Sequence, residues 1–436
     1  MYKAAKLSSL HVTMPRRRKL RRKKKNLPVV LVGVLLCALG LSSPSSQEVV
    51  HERVMSVIQP SAPSEGSPQA QPSGHPPAAK AAHNSSSSKL SSSSSQQNQP
   101  EGSKHTTTTN VYAATTQTHV ADRFAHIPER VYVPNVADGT VDVIDPHTFQ
   151  IVDHYAVGYV PHHVTPSWDM SKLYVDNEGS SSLTVIDPKS AEPTGTVSVP
   201  YPYNLYFTPD GKKAIVVVER LQTLEFRDPH TWRLLGSVYI PFPGVDHMDF
   251  SADGHYLLAS SEWSGMVTKV DTQKMKITGQ LELGGNPVDV KLSPDGKVFY
   301  VANQGEGYGG VHVIDARSMK QLKFIPTGAG AHGLYVSRDA KSLYVANRLA
   351  GTISVIDFAS RKVVATWKVG GSPDMFQLSP DGTQLWYADR YNGTVSVVDT
   401  RSGELIRRIT VGYYPHGLTY FPNVGRYSMG HNGVYR

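Results

Sequence analysis

One short pattern recurs seven times in the later part of the chain, and it constrains the fold more than any other feature. In each copy apolar residues alternate with other residues, and the copy ends in aspartate, as in VDVID ending at Asp145 and ISVID ending at Asp357. Successive copies are 41 to 44 residues apart, at Asp145, Asp187, Asp228, Asp271, Asp315, Asp357 and Asp399. This period, with several short strands per repeat, is typical of β-propeller blades.

Each repeat contains four strand-like runs. In the sixth repeat these are SLYVAN (342–347), TISVID (352–357), VVATWKV (363–369) and DMFQLSP (374–380). The connections are short and several carry the turn dipeptide Asp-Gly, so the strands are expected to meander antiparallel. The sequence therefore predicts an all-β fold, a seven-bladed β-propeller of four-stranded antiparallel blades.

The order of the runs also predicts how the ring closes. The first repeat begins with VYVPN at Val131, which is a second-strand run, and the last ends with the first-strand run HGLTYF (416–421). Because a blade must bury both faces against its neighbours, we expect HGLTYF to complete the first blade. The run YSMGHNGVYR (427–436) resembles another second strand, and the sequence alone does not place it.

The N-terminal region has the composition of an export signal. Residues 1–26 carry eleven lysines and arginines and no acidic residue, and thirteen apolar residues (29–41) follow. A membrane-spanning helix needs about 20 residues, so residues 1–43 are interpreted as a signal peptide, with an uncleaved membrane anchor as the alternative. The protein is accordingly expected to be exported, to the periplasm or the cell surface, with membrane contact only through an uncleaved N-terminal segment.

Residues 44–120 are rich in Ser, Pro and Thr and are predicted to form a disordered linker, with the propeller occupying 121–436. The net charge of +8 owes its sign to the N-terminal run, since the rest of the chain carries −3. No nucleic-acid partner is therefore expected. The only cysteine, Cys37, lies in the signal segment, which excludes disulfides and thiolate chemistry from a cleaved chain.

The strings LYVAN (343–347), FYVAN (299–303), LSPDG (292–296 and 378–382) and PHGL (415–418) resemble the YVTN-repeat β-propeller family. All seven repeats match in part. The resemblance implies a propeller with a central funnel, related to the haem d1 propeller of cytochrome cd1 nitrite reductase and to lactonase-type propellers. It carries over no catalytic residue.

The motifs of several enzyme classes are missing from the sequence, including G-x-S-x-G, H-E-x-x-H, the phosphate-binding glycine-rich loop and C-x-x-C-H. Their absence favours a non-enzymatic function, although the related propellers leave catalysis open.

Candidate site residues are found where each innermost strand begins, because those positions ring the mouth of the funnel. Alignment on the turns gives His162, Tyr203, Asp246, Val288, His332, Asp374 and His416, followed one step later by His163, Asn204, His247, Asp289, Gly333, Met375 and Gly417. Ring closure makes His332, Asp374, His416 and His162 consecutive neighbours. Such a set suits Zn, Cu or Fe, or ligation of a haem d1-like tetrapyrrole. The alternative is that these histidines only pack between blades.

Three functions are compatible with the sequence. The first is an exported binding module that presents its funnel and loops to a small ligand or an envelope protein, with His162, Tyr203, Asp246, His332, Asp374 and His416 lining the site. The second is a metal- or haem d1-type cofactor-binding protein, or a lactonase-like enzyme, that uses His162, His332, Asp374 and His416. The third is a cell-surface structural module carried on the Ser-rich linker.

Overall fold

The structure, a computed structural model, describes residues 110–436. The predicted signal segment and residues 44–109 of the predicted linker lie outside this range. Residues 110–436 form seven four-stranded antiparallel sheets. The prediction of a seven-bladed propeller is confirmed.

Innermost strands line the central channel of the ring, and the second strand of each blade packs directly outside them. The innermost strands are β4 (Pro161–Pro166), β8 (Pro202–Phe207), β12 (Val245–Phe250), β16 (Pro287–Leu292), β20 (Ala331–Val336), β24 (Pro373–Leu378) and β28 (Thr419–Phe421). The second strands are β1 (Arg130–Asn135), β5 (Leu173–Asn177), β9 (Ala214–Val218), β13 (Tyr256–Ser261), β17 (Val298–Asn303), β21 (Ser342–Asn347) and β25 (Gln384–Asp389).

The third strand of each blade contains the recurring aspartate pattern, and the fourth is outermost. The third strands are β2 (Thr140–Asp145), β6 (Ser182–Asp187), β10 (Thr223–Arg227), β14 (Met266–Asp271), β18 (Gly310–Asp315), β22 (Thr352–Asp357) and β26 (Thr394–Asp399). The fourth strands are β3 (Gln150–Ala156), β7 (Glu192–Ser198), β11 (Leu234–Tyr239), β15 (Lys276–Glu282), β19 (Gln321–Pro326), β23 (Lys362–Lys368) and β27 (Leu405–Thr410).

Burial follows the position of a strand in its blade. Every residue of β4 is buried, whereas β23 alternates between exposed and half-buried residues. An inner strand is covered by both neighbouring blades, but an outer strand has one face in water. The core therefore lies between blades and around the channel, where the candidate site is.

The two faces of the ring differ. At the mouth face the innermost strands begin, and the loops between blades and the turns between second and third strands lie there too. At the base face the innermost strands end, and four of them, β8, β12, β16 and β24, lead into the predicted Asp-Gly turns. Gly382 adopts a φ of +72° in such a turn, a conformation that glycine reaches without steric cost.

Short 3-10 helices lie in several mouth-face turns and before the first blade. Their bounds are Ala113–Thr116, Asp122–Phe124, Glu178–Ser180, Glu219–Leu221, Glu262–Ser264 and Arg390–Asn392. Although the composition assigns residues 110–120 to the linker, Tyr112 is buried and its hydroxyl donates to the carbonyl of Leu292. Within residues 110–436, no helix has the length and hydrophobicity needed to cross a membrane.

The ring closes as the sequence predicts. Strand β28 pairs antiparallel with β1, with Arg130 opposite Phe421 and Tyr132 opposite Thr419. The first blade therefore combines three strands from the beginning of the propeller with one from its end.

The C-terminal tail, residues 427–436, lies across the base end of the channel rather than in a further blade. The backbone of Phe207 donates to the carbonyl of Met429, and the backbone of His431 donates to that of Leu205. Its other polar contacts reach the innermost strands of further blades through Pro166, Tyr335, Phe376, Gln377, Asp249 and Phe250. Residues 428–436 are all buried, so the tail closes the base of the channel.

Candidate functional site

The six predicted site residues, His162, Tyr203, Asp246, His332, Asp374 and His416, lie around the mouth end of the channel and are all buried. Five of them are the second residue of an innermost strand, where pairing with the neighbouring strand shifts register. A β-bulge redirects side chains. In β4, His162 and the following His163 both approach His416, at ring-centroid distances of 5.6 and 4.7 Å.

Asp374 is the centre of a hydrogen-bonded network. Its Oδ1 lies 2.9 Å from Nδ1 of His332 and accepts a bond of 2.8 Å from Nη2 of Arg348. Its Oδ2 accepts from Nη1 of Arg390 at 3.4 Å and lies 3.7 Å from Nε2 of His416. Arg348 Nη2 is also 2.6 Å from Nε2 of His332. Both oxygens of the carboxylate therefore already face cationic or polar partners.

The electrostatics of Asp374 follow from these neighbours. Burial alone would raise the pKa of Asp374, but the guanidinium of Arg348 and the imidazoles of His332 and His416 hold it well below its usual range. Burial and the nearby Arg348 cation lower the pKa of His332. The carboxylate is thus ionised and His332 neutral at neutral pH.

His162 lies beside this network with its hydrogen bond directed elsewhere. Its Nε2 is 3.2 Å from Oε2 of Glu178, whose Oε1 accepts a bond of 2.7 Å from Nε of Arg220. The structure therefore brings together three members of the predicted metal arc, His332, Asp374 and His416, and places His162 in a neighbouring pair with Glu178.

The other two predicted residues, Tyr203 and Asp246, line the opposite side of the mouth. The Tyr203 ring lies 4.6 Å from the ring of His162, measured between centroids. Asp246 Oδ1 lies 2.6 Å from Nδ1 of His247, the next residue along β12. Neither residue contacts Asp374.

The geometry of the predicted arc decides whether a metal or a tetrapyrrole fits there. Ligand atoms of His332, Asp374 and His416 lie within 4.8 Å of one another, and two imidazoles with a carboxylate suit Zn or Fe. However, an ion bound there would lie beside the guanidinium of Arg348. The ring of His416 lies 5.6 Å from that of His162 and 6.1 Å from that of His332 between centroids, and because all three rings are buried a tetrapyrrole would have to displace them. A bare ion fits better than a macrocycle.

Charged residues at the start of the mouth-face turns also belong to the site, although the alignment of the innermost strands does not single them out. Five of the seven second strands are directly followed by a charged residue, namely Glu178, Glu219, Glu262, Arg348 or Arg390, while Gln304 follows β17 and Val136 follows β1. Burial, together with the carboxylates of Glu178 and Asp246, raises the pKa of Glu219 well above its usual range. The signal in the sequence is the recurrence of charge at this position, in five of the seven repeats.

A second group of imidazoles lies deeper in the channel. His163 from β4, His247 from β12 and His431 from the tail offer nitrogen atoms within 4.8 Å of one another. Ring centroids are 4.9 Å apart for His163 and His431 and 4.8 Å for His247 and His431. The repeat alignment locates His163 and His247 on the channel, but nothing in the sequence places His431 beside them.

These three imidazoles are deeply buried, and two of them lack hydrogen bonds. His163 and His247 have no exposed surface, and neither ring nitrogen of either residue makes a hydrogen bond within the described part of the chain. Burial and the neighbouring imidazole of His247 hold the pKa of His163 well below 6.5. Burial and Lys291 do the same for the pKa of His431. His163 and His431 are therefore neutral imidazoles at neutral pH.

The rim of the mouth face is apolar. Seven large hydrophobic side chains are exposed in its loops and turns: Tyr159, Tyr201, Leu221, Trp263, Tyr308, Leu349 and Tyr413. Tyr159 and Tyr413 have 78% and 71% of their surface in water. The other exposed large hydrophobics among residues 110–436 lie in the outermost strands, and none lies in a base-face turn.

A family model for YNCE-like β-propellers matches residues 107–426. This match agrees with the resemblance found in the repeats. No curated protein sequence matches the chain significantly.

Solved structures with a similar fold include three with named functions. Hydrazine synthase from Kuenenia stuttgartiensis is 21% identical with a TM-score of 0.54, and the match covers 65% of this chain and 97% of the other. The dihydro-heme d1 dehydrogenase NirN in complex with DHE is 18% identical with a TM-score of 0.54, covering 69% and 76%. A candidate 6-phosphogluconolactonase from Bacteroides fragilis is 17% identical with a TM-score of 0.55, covering 68% and 98%. At these identities the likeness establishes the fold alone.

Proposed function

Because this chain belongs to the YNCE-like β-propeller family, whose fold offers a mouth face for binding, we propose that it is an exported binding module that docks a protein partner there. The observation that carries this proposal is the rim of exposed hydrophobic side chains. Four of its seven members are tyrosines and one is tryptophan. Tyrosine and tryptophan are enriched at protein interfaces, where they bury large areas at small entropic cost.

The charged centre of the mouth supports the same proposal. Glu178 and Glu262 lie on one side of the opening and Arg348 and Arg390 on the other, all within the ring of apolar side chains. An apolar rim around a polar centre provides contact area, while the unequal distribution of charge selects the orientation of the partner. The six predicted site residues form the floor of this surface, where a small ligand or a single side chain of the partner would reach them.

The experiment compares two exposed apolar surfaces of the same molecule. A photo-crosslinking residue is placed at Tyr159 or Tyr413 in the native host, and at Val364 in the outermost strand β23 as a control of similar exposure. We expect one discrete adduct from both mouth positions and none from position 364. Trp263→Ser should weaken the adduct, and Leu405→Ser, in β27, should not. Equal adducts at all three positions, or none at the mouth, would contradict the proposal.

A second candidate function is favoured by the convergence of His332, Asp374 and His416. A propeller that holds a metal ion at this arc would act as a metal-dependent protein, and one solved neighbour, NirN, is a dehydrogenase in complex with DHE. Elemental analysis and an absorption spectrum of natively purified protein test this candidate. One equivalent of metal that is lost on chelation and absent from His332→Ala protein would support it.

Export is a separate element of the proposal and rests on the basic and apolar segments of residues 1–43. A fusion of residues 1–60 to a reporter that is active only outside the cytoplasm tests it. An inactive reporter, with the fusion protein present in the cytoplasm, would contradict export.

A further inference from the structure

The deeper histidine group has the properties of a metal site and is distinct from the Asp374 network. We propose that His163, His247 and His431 bind one divalent transition metal ion of the Zn²⁺ type in the channel below the mouth. Their ligand nitrogens converge within 4.8 Å, and the three side chains come from β4, β12 and the C-terminal tail. None of these three histidines belongs to the predicted arc of His162, His332, Asp374 and His416.

The first argument is the state of the ring nitrogens. His163 and His247 are completely buried, yet neither has a hydrogen-bond partner for either nitrogen among residues 110–436. Leaving a buried polar group without a partner is costly, and native structures rarely do so. A metal ion bound among the three rings would satisfy one nitrogen of each.

The second argument is geometric. Zn–N bonds of 2.0 to 2.1 Å in a tetrahedral site bring ligand nitrogens to about 3.3 Å from one another. The present group reaches that separation by small movements of rings that already lie 4.8 to 5.5 Å apart between centroids. Three imidazoles complete three of the four tetrahedral positions and leave the fourth for water or an anion.

The third argument concerns the residues that support these rings. Asp246 Oδ1 lies 2.6 Å from Nδ1 of His247. A small rotation of the imidazole would let the carboxylate accept a hydrogen bond from this N–H and would leave Nε2 free to bind the metal. Metal-bound histidines commonly have such a carboxylate partner. Asn204 Nδ2 lies 2.9 Å from Nδ1 of His431 and holds this ring in place. Binding through Nε2 of His431 requires the amide to rotate so that its oxygen accepts from Nδ1.

Charge also distinguishes the two groups. In the Asp374 network, a guanidinium nitrogen of Arg348 lies 2.6 Å from Nε2 of His332. The cationic charge near the deeper group belongs to Lys291, whose ammonium bonds Asp289 at 2.7 Å, and to Arg390, which bonds Asp374 at 3.4 Å. Because that charge is paired within the channel and Asp246 contributes a carboxylate, the deeper group tolerates a divalent cation better than the arc.

The site would also tie the tail to the blades. His431 is the only proposed ligand outside an innermost strand, and its ring stacks on Tyr206 with the two planes 3° apart. A metal ion shared with His163 and His247 would therefore link the tail to the second and fourth blades. Metal binding should slow hydrogen exchange of the backbone amides of the tail.

The test uses the full chain, stripped of metal with a chelator and titrated with Zn²⁺ by calorimetry and with Co²⁺ by visible spectroscopy. We expect one tight equivalent of Zn²⁺ and the visible bands of four-coordinate Co²⁺. His163→Gln and His431→Gln should each lose this equivalent. Asp246→Asn should weaken the affinity about 10- to 100-fold, as loss of a supporting carboxylate does at other sites.

Two controls separate this site from other histidines. His230→Gln removes an exposed turn residue, and His332→Gln removes a member of the arc; both should retain the equivalent. Protection of the tail amides on adding Zn²⁺ should be lost in His431→Gln, whose fold is checked by its own melting curve. If wild type and His431→Gln bind Zn²⁺ equally, or if His332→Gln alone loses the equivalent, the proposed site is wrong.

Discussion

The guanidinium of Arg436 lies 2.8 Å from Oδ1 of Asp249, with both side chains only 2% exposed. The other oxygen of this carboxylate accepts from the backbone of Leu292. The pair therefore fastens the tail to the fourth blade, close to the contact with the fifth.

The first prediction concerns this pair. Arg436→Met should lower the free energy of unfolding by about 3–5 kcal/mol, because it leaves the Asp249 carboxylate buried without its charged partner. Asp249→Asn combined with Arg436→Met should recover part of the loss. Urea denaturation of the two single variants and the double variant measures the coupling. Additive losses in the double variant would show that the pair does not act as a unit.

The second prediction separates ring closure from closure of the channel. Deleting residues 414–436 removes β28 and the tail, which exposes the inner edge of β1 and loosens both neighbouring blades. We expect unfolding to lose its cooperativity. Deleting only residues 427–436 should lower the melting temperature but keep a single sharp transition. Identical melting of the longer deletion and the intact chain would refute the closure model.

The third prediction concerns pH in the metal-free protein. Burial is the main cause that lowers the pKa of His163, His332, His416 and His431 below 6.5. Below pH 6.5 these imidazoles bind protons in the unfolded chain but stay neutral in the folded protein. The free energy of unfolding therefore falls as pH decreases. Each group contributes up to about 1.4 kcal/mol per pH unit until its folded pKa is reached. Melting temperatures from pH 8 to pH 5 measure the slope, and His416→Gln should flatten it. A melting temperature that is constant or rises toward pH 5 would contradict the burial of neutral imidazoles.

The fourth prediction concerns the Asp374 network. Replacing Arg348 by Met removes the cation that bonds Asp374 and lies against Nε2 of His332. Zn²⁺ binding at His332, Asp374 and His416 should then strengthen by at least about tenfold, since like-charge repulsion and competition for the ligands both disappear. Arg220→Met, which affects Glu178 instead, is the matched control. Unchanged zinc affinity in Arg348→Met would show that the guanidinium does not block the arc.

The fifth prediction concerns nucleic acid. Residues 1–26 contribute eleven positive charges to a net charge of +8, so a chain that lacks them should bind DNA no better than an arbitrary acidic protein. Filter binding of the shortened chain at low and high salt measures this. Salt-sensitive submicromolar binding would reveal a local basic surface that outweighs the total charge.

The repeats predict the fold because the physical constraint is local and recurs. A run such as ISVID at Asp357 specifies a strand by its own alternation, and seven copies determine a ring that must close. The site is predictable only where it follows the repeat. His332, Asp374 and His416 occupy equivalent positions in consecutive blades, and the structure brings them together.

The remainder of the site depends on residues outside the repeat. His431 belongs to the tail, residues 427–436, which joins none of the seven blades, and its position is determined by tertiary contacts with Leu205 and Asn204. The direction of the His162 side chain depends on Glu178, which lies outside the aligned strand positions. Contacts such as those of His431 and His162 depend on tertiary packing, and a repeating sequence pattern does not reveal them.

Closure of the ring imposes an order on biosynthesis. Tyr420 donates to Glu129, a residue 291 positions earlier in the chain, and β28 completes the first blade beside this contact. A contact across that separation carries an entropic cost of about 5 kcal/mol for bringing the two ends together. The inner edge of β1 stays open until β28 has been synthesised and, in an exported chain, translocated. The nascent protein is then most susceptible to aggregation and to proteases, and a chaperone that covers the edge of β1 would act during that interval.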